Sequence, residues 1–357
     1  MNFLNRKNQV ILIAFLLISF NYAYAQNTTN LVKNIPSDAT KLAQAYFMPA
    51  FKGFGFGMNS GWYNSAKTKN LGKFDVRLIQ LSAAFVPTQD QSFDISKLGL
   101  SSTTQAKGNS ISPTLLSDAG TAANLSIKDD NGNEVSSIRL PNGSGYKYAP
   151  SPQLQVTVGI IKNTDVSVRY TPKLGKETGK FGTVQVLGFG VKHEITKYIL
   201  PGKTEKIIPI DIALAFGYNQ LTYSYKLPIA QQIDDQNSGR DLNQKVDIKF
   251  SGYTIDAILS KKIAIFTPFV SVGYNSSQTQ LKVLGDYVVR TGVNPTLPIT
   301  NRYSTFTDPV SIKQNDISGL RGDIGFSLHL LFLRLYGAYS IGQYQAVTGG
   351  IGFGIGK

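Results

Sequence analysis

Ten charged side chains sit where an apolar strand would turn every second residue toward water: Asp75, Arg77, Asp165, Arg169, Asp211, Asp247, Lys249, Arg321, Asp323 and Arg334. Most are flanked on both sides by valine, isoleucine, leucine or an aromatic residue, so a period of two projects them to one face and their neighbours to the other. Unpaired burial would cost several kcal/mol for each such group, so the face they share must be wet or internally paired. Two kinds of chemistry follow. The charges can neutralise one another across strands and stiffen a narrow tube, or they can select a solute that passes along it. Catalysis is not expected. The only histidines, His193 and His329, stand near strand ends with neither metal-ligand spacing nor a nucleophile elbow around them. With no cysteine in the chain, thiolate metal sites, disulfides and a lipoprotein anchor are not expected, nor is any cofactor.

The elements that must hold these charges are strands. From Ile317 onward, Leu320, Ile324, Phe326, Leu328 and Leu330 share one face while Arg321, Asp323, Ser327 and His329 share the other. After a reversal near Leu331 the pattern resumes with Leu333, Leu335, Tyr339 and Ile341, and it ends with Val347, Ile351, Phe353 and Ile355 against threonine and glycine. Such apolar rows are about ten residues long, the length a tilted strand needs to cross a bilayer. Ile208 to Asn219 alternates as cleanly, and Leu154 to Tyr170 reads as a hairpin turning at Lys162-Asn163. Within Phe74–Val86 the apolar phase changes, which predicts a bulge near Ile79-Gln80. Val246, Ile248 and Phe250 read as outward, followed by Tyr253, Ile255, Ala257 and Leu259 in the opposite phase, which predicts a second bulge at Ser251-Gly252. Phe54, Phe56 and Met58, alternating with Gly53, Gly55 and Gly57, read as a first strand over about 53–63. Residues 288–316 read as a polar loop. About eleven strands result. Because single-chain barrels favour even numbers, the expected range is ten to fourteen with twelve preferred. The fold class is all-β: an antiparallel transmembrane β-barrel with one short N-terminal helix.

Three regions are expected. Residues 1–25 read as a signal peptide, with Arg6 and Lys7, an apolar run from Val10 to Phe20, and cleavage between Ala25 and Gln26 after Ala23-Tyr24-Ala25. Residues 26–52 carry a helix over Ser37–Pro49 whose Leu42, Tyr46 and Phe47 are candidates to plug the pore or cap its periplasmic mouth. Residues 53–357 form the barrel, with a long extracellular insertion at 88–152 that contains a hairpin turning at Asp130-Asn131-Gly132. Short turns and long loops alternate, which puts the turns in the periplasm and the loops outside. Removing Arg6 and Lys7 lowers the formal charge from +14 to +12, since residues 1–25 hold no acidic side chain. For an exported barrel that excess points to membrane lipid and lipopolysaccharide rather than nucleic acid, for which no motif is present.

Several motifs together resemble a known family. They are Asp38-Ala39, Leu42, Ala45-Tyr46 and Pro49, then Asn59-Ser60-Gly61-Trp62-Tyr63, Phe74-Asp75 and Phe85-Val86-Pro87. Later come Leu140-Pro141-Asn142-Gly143, Leu154-Gln155-Val156, Thr164-Asp165, Arg169-Tyr170 and Gly188-Phe189-Gly190-Val191. Their order resembles an uncharacterised family of exported Gram-negative proteins read as outer-membrane barrels. The resemblance implies the fold and the outer membrane of a Gram-negative bacterium, and it brings no activity. A looser, architectural likeness is to outer-membrane transporters of long-chain fatty acids, which also hold an N-terminal segment inside a barrel. The expected role is porin-like: passive or gated passage of a small solute, hydrophobic solutes included. The alternative is a non-transporting scaffold or secretion accessory that binds a protein partner through its long loops.

Overall fold

The computed structural model describes residues 36–128, 134–177, 182–200, 210–227, 242–294 and 300–355. The signal-peptide junction at Ala25-Gln26 and the turn at 130–132 lie outside these residues. The chain opens with α1 (Pro36–Asn59), followed by an irregular stretch to Lys73. The wall begins with β1 (Phe74–Phe85) and resumes with β7 (Tyr148–Ile161), β8 (Thr164–Gly175), β9 (Thr183–Glu194), β10 (Asp211–Lys226), β11 (Lys245–Ser260) and β12 (Phe266–Leu284). It ends with β15 (Val310–Leu330), β16 (Leu333–Ile341) and β17 (Gln345–Ile355). These ten strands are antiparallel in chain order, and β17 pairs with β1 to close the barrel. Ten is the lower end of the expected range, not the preferred twelve.

Small strands fill the long connections. The insertion after β1 holds β2 (Ser92–Asp94), β3 (Thr104–Lys107), β4 (Ile111–Pro113), β5 (Asn124–Lys128) and β6 (Glu134–Arg139), paired as β2–β4 and β3–β5–β6. Between β12 and β15 stands a hairpin of β13 (Asp286–Asn294) and β14 (Thr300–Thr307). The segment expected to be a polar loop at 288–316 is therefore mostly strand. A one-turn helix, α2 (Thr196–Ile199), follows β9. Two of the tight reversals rest on non-glycine residues in the left-handed region, Asn163 at φ 61° and Leu331 at φ 56°. Both wall termini, Phe74 and Ile355, lie at the end with these reversals, here the turn end; the insertion and the β13–β14 hairpin lie at the loop end.

Outside, the wall carries an apolar belt. Leu187, Leu214, Ile255, Val272, Leu320, Ile324 and Ile351 are all exposed there, with Leu320 at 75%. Leaving this many large apolar side chains in water would be costly, whereas in a bilayer they are matched. No described helix is long and apolar enough to cross a membrane.

Two phase changes were expected in the wall and one is found. At β1 the register shifts after Arg77 against both neighbours, and Leu78 and Ile79 both face outward. At β11 no shift occurs: Lys245 to Ser260 pairs without interruption with β10 and β12. Val246, Ile248 and Phe250 therefore share the inward face with Thr254 and Asp256. A bulge does occur in β15, where Asp316 is an extra residue opposite Ser277-Gln278 and is buried together with Ile317.

The first strand expected at 53–63 does not exist. Those residues form the end of α1 and the turn beyond it, and the wall begins about twenty residues later at Phe74.

Candidate functional site

The interior holds the chain's own N-terminal segment. α1 starts at the loop end, where Ala39 and Leu42 are buried against Ile95, Ala123, Leu125 and Leu140 of the insertion. Asp38, in its first turn, accepts hydrogen bonds from the backbone N–H and hydroxyl of Ser101. Although burial pushes the Asp38 carboxyl up, the bonds from Ser101 and Thr104 and the nearby Lys41 outweigh it and hold the group below the usual carboxylate range. Pro49 sits inside the helix and removes one rung of its ladder. The neighbouring Tyr46 carbonyl, three residues before the proline, accepts from Leu115 N–H of the insertion at 3.0 Å.

Deeper in, the helix meets apolar wall. Phe47 and Phe51 stack on each other and pack with Val246, Ile248, Leu281 and Ile312, while Phe54 meets Phe250 edge-on. Glycine sets how closely the walls approach. A Cβ at Gly53 would lie 2.9 Å from Ala149 Cβ and one at Gly57 2.5 Å from Ser151 Oγ, both on β7. A Cβ at Gly55, on the opposite side of the helix, would lie 2.3 Å from Ser277 Oγ on β12. Three glycines two residues apart thus fit a helix between facing strands, although the same spacing imitates a strand.

At the helix C-terminus the lining changes to polar. A helix leaves its last carbonyls without partners, and here the wall supplies donors for those of Gly57 to Asn59 and for the three that follow the helix. Gly57 O accepts from Gln153 Nε2 at 2.9 Å, and Met58 O accepts from Arg169 at 2.7 Å and Asn219 Nδ2 at 2.9 Å. Asn59 O accepts from Arg321 at 2.8 Å, Ser60 O from Arg169 at 3.1 Å and Gly61 O from Arg77 at 2.6 Å. Trp62 O accepts from Gln155 Nε2 at 2.9 Å. The three arginines come from β1, β8 and β15 and converge on the negative end of the helix dipole. The Arg169 guanidinium also lies 3.8 Å from the centroid of the Trp62 ring. Gly217 lets that ring reach the wall, since a Cβ there would stand 2.5 Å from the indole.

Below the tryptophan the segment runs down one side of the lumen. Lys67 bridges Glu194 at 2.9 Å and Asp211 at 3.2 Å. Thr68 N–H and hydroxyl donate to Glu194, and Lys69 N–H donates to Asp165 at 2.8 Å. Lys192 donates to the carbonyls of Ser65 and Lys67 and pairs with Asp165 at 3.2 Å. Gly72 N–H then reaches Gly159 O, and the chain turns into β1. Across the lumen Arg321 bridges Asp256 and Asp323 at 3.3 and 3.2 Å. A residual cavity between Trp62 and Phe269, with Asp256 and Asp323 on its polar side, has room for about one water molecule.

Of the ten charges expected inside, eight are there. Asp75, Arg77, Asp165, Arg169 and Arg321 hold or surround the segment, Asp211 takes Lys67, Asp323 pairs with Arg321, and Arg334 is buried at the turn end. Asp247 and Lys249 are not inside. The unbroken register of β11 puts them on the outer face, because the alternating Val246, Ile248 and Phe250 pack on α1 rather than on lipid. The plugging residues also differ from expectation. Leu42 and Tyr46 are buried at the insertion and Phe47 against the upper wall, whereas the lumen inside the apolar belt is filled by 59–69. Sequence reasoning missed Gln80, Gln153, Gln155, Lys192, Glu194, Asn219 and Asp256, all buried and inward. Their strand parity could have found them. His193 lies on the outer face, hydrogen-bonded to Thr164 and stacked on Tyr198, while His329 is inward beside Ser327, so the two share no site.

The sequence matches the model of a family of unknown function, DUF6588, over residues 6–355. The chain belongs to that family. No curated protein matches it. Among solved structures, this DUF6588 chain is similar to the outer-membrane protease OmpT from Escherichia coli at 9% identity and a TM-score of 0.30, covering 82% of this chain and 100% of that one. It is similar to the attachment invasion locus protein Ail of Yersinia pestis, solved with the heparin analogue sucrose octasulfate, at 7% identity and a TM-score of 0.25, covering 80% and 98%. The toluene transporter TbuX of Ralstonia pickettii gives 9% identity and a TM-score of 0.22, covering 85% and 99%. The barrel assignment rests on the closed sheet and its apolar belt, not on these values.

Proposed function

We propose that this DUF6588 protein is an outer-membrane barrel, closed at rest by residues 59–73, that presents the first turn of α1 and the 88–147 insertion at the cell surface to a partner. The observation that carries it is the run of six carbonyls, Gly57 to Trp62, each taken by a wall side chain. Four of the six accept from an arginine, and such charge-assisted bonds are worth roughly 1.5–3 kcal/mol each, so an empty, passive pore would forgo a large stabilisation. The orientation follows from the short reversals at one end and the insertion at the other, with the reversals in the periplasm. Export by a signal peptide cleaved at Ala25-Gln26 belongs to the same reading, and no catalytic role is assigned to either histidine.

Gated passage of a small solute is the second reading. What favours it is that the segment inside the belt is held by polar contacts, which water can replace, next to a small cavity with both apolar and charged walls. Conductance in planar bilayers separates the two readings. Wild-type protein should be silent, and an Arg169→Ala/Arg321→Ala variant should conduct. Open-channel current from the unmodified barrel would overturn the closed-barrel reading, and a solute-triggered current would establish the gated one.

A further inference from the structure

Above the apolar belt, the outer face of β11, β12 and β15 changes character within one residue pair. Tyr253 and Tyr274 lie with ring centroids 6.3 Å apart, and the Tyr274 hydroxyl bonds Ser318 at 2.6 Å. Toward the turn end from there the outward positions are Ile255, Val272, Leu320 and Ile324. Toward the loop end they are Ser251, Gln278 and Asn315, and then lysines. Lys249 and Lys313 flank Gln280 directly across the sheet, and Lys282, two residues further along β12, completes a triangle. All three are exposed, and none pairs with a carboxylate among the described residues. The acid nearest in register, Asp247, is taken by Lys245 at 3.0 Å and by the Ser224 hydroxyl.

The spacing suits a phosphate. Strands about 4.8 Å apart put the backbones of Lys249 and Lys313 roughly 10 Å apart, and their flexible stems can bring both ammonium groups onto one anion. Lys249 stands four residues beyond Tyr253, about 10 Å higher once strand tilt is allowed for, which is within reach of the headgroup layer over an aromatic girdle. An amphiphile with acyl chains on Ile255, Val272 and Leu320 would have its charged group at these lysines, whereas a free anion would make no use of the belt beneath them.

We infer that Lys249, Lys282 and Lys313 form a binding site for the phosphate groups of an outer-leaflet glycolipid such as lipid A. The site rests on the orientation proposed above and not on the state of the lumen. The test uses full-length barrel refolded in detergent free of lipopolysaccharide, with lipid A added and bound lipid counted by native mass spectrometry. At about 1 kcal/mol for each lysine near an anionic headgroup, K249Q/K282Q/K313Q should lower the affinity roughly 100-fold. K261Q/K262Q, at the turn end, should leave it unchanged, and a heat-dependent gel shift confirms that both variants are folded. Dephosphorylated lipid A should bind as weakly to the wild type as lipid A does to the triple variant, and inorganic phosphate alone should not compete at millimolar concentration. Equal binding of the two lipids, an undiminished triple variant, or full competition by inorganic phosphate would each overturn the site. Binding in detergent does not depend on orientation, so labelling a cysteine placed at Ser251 on intact cells tests the orientation independently of the site.

Discussion

The upper and lower parts of the lumen solve the same problem with opposite materials. Near the loop end Phe47, Phe51 and Phe54 pack against Val246, Ile248, Phe250 and Leu281 like the core of a soluble protein. A turn of helix further down, the contents become bare carbonyls and the wall answers with Arg77, Arg169 and Arg321. The inner face of a barrel strand is therefore specified by what it touches and not by an assumption of water. Apolar residues face inward where a helix is offered to them, and charges face inward where a helix ends.

Removing the lower donors should break the contrast most severely. Arg169→Ala/Arg321→Ala strands the carbonyls of Asn59 and Ser60, leaves Met58 O to the Asn219 amide, and leaves Asp256 and Asp323 without their shared cation. At about 1–3 kcal/mol for each unsatisfied group the loss should exceed roughly 5 kcal/mol, read by urea unfolding in detergent. Phe250→Ala attacks the upper half instead and should cost about 3–5 kcal/mol in the same assay while leaving the bilayer silent. Should Phe250→Ala conduct and the arginine variant stay closed, the division of labour would be the reverse of the one described. Gly55→Ala, which meets Ser277 Oγ at 2.3 Å, should cost about 1–3 kcal/mol by overpacking, relieved in part by Ser277→Gly.

The smallest effect concerns the outermost turn of α1. Because Asp38 titrates below the usual carboxylate range when folded, its contribution is present above the unfolded value and fades as pH falls through the folded one. Asp38→Asn should cost about 1 kcal/mol at neutral pH and flatten the acid limb of a thermal-melting profile. An unchanged limb would remove Asp38 from the account.

Much of the wall was legible in the sequence because lipid imposes one rule on every outward position. Leu320 to Leu330, Leu333 to Ile341 and Val347 to Phe353 read correctly, and the bulge expected near Ile79-Gln80 falls one residue earlier, at Leu78-Ile79, where two consecutive apolar residues face out. The inner face obeys no such uniform rule. Val246, Ile248 and Phe250 read as lipid-facing because apolar character does not say which apolar partner is present, and that misreading carried Asp247 and Lys249 inward with it. Gly53 to Met58 read as a strand because a helix squeezed between facing walls needs glycine on both sides, and a spacing of two supplies it. The count of about eleven came from that extra strand; without it the wall is even and both its ends meet at the turns.

The path of residues 36–73 also has a consequence for how the wall is completed. The chain enters at the loop end, descends through the middle and joins the wall at the opposite rim, so a sheet that closed first would have to admit a 24-residue helix through a finished ring. Joining β17 to β1 around a segment already in place needs no such passage. Closing the seam between the first and last strands last, with the buried polypeptide as the mandrel on which the cylinder is wound, is the order of assembly that this path leaves unobstructed.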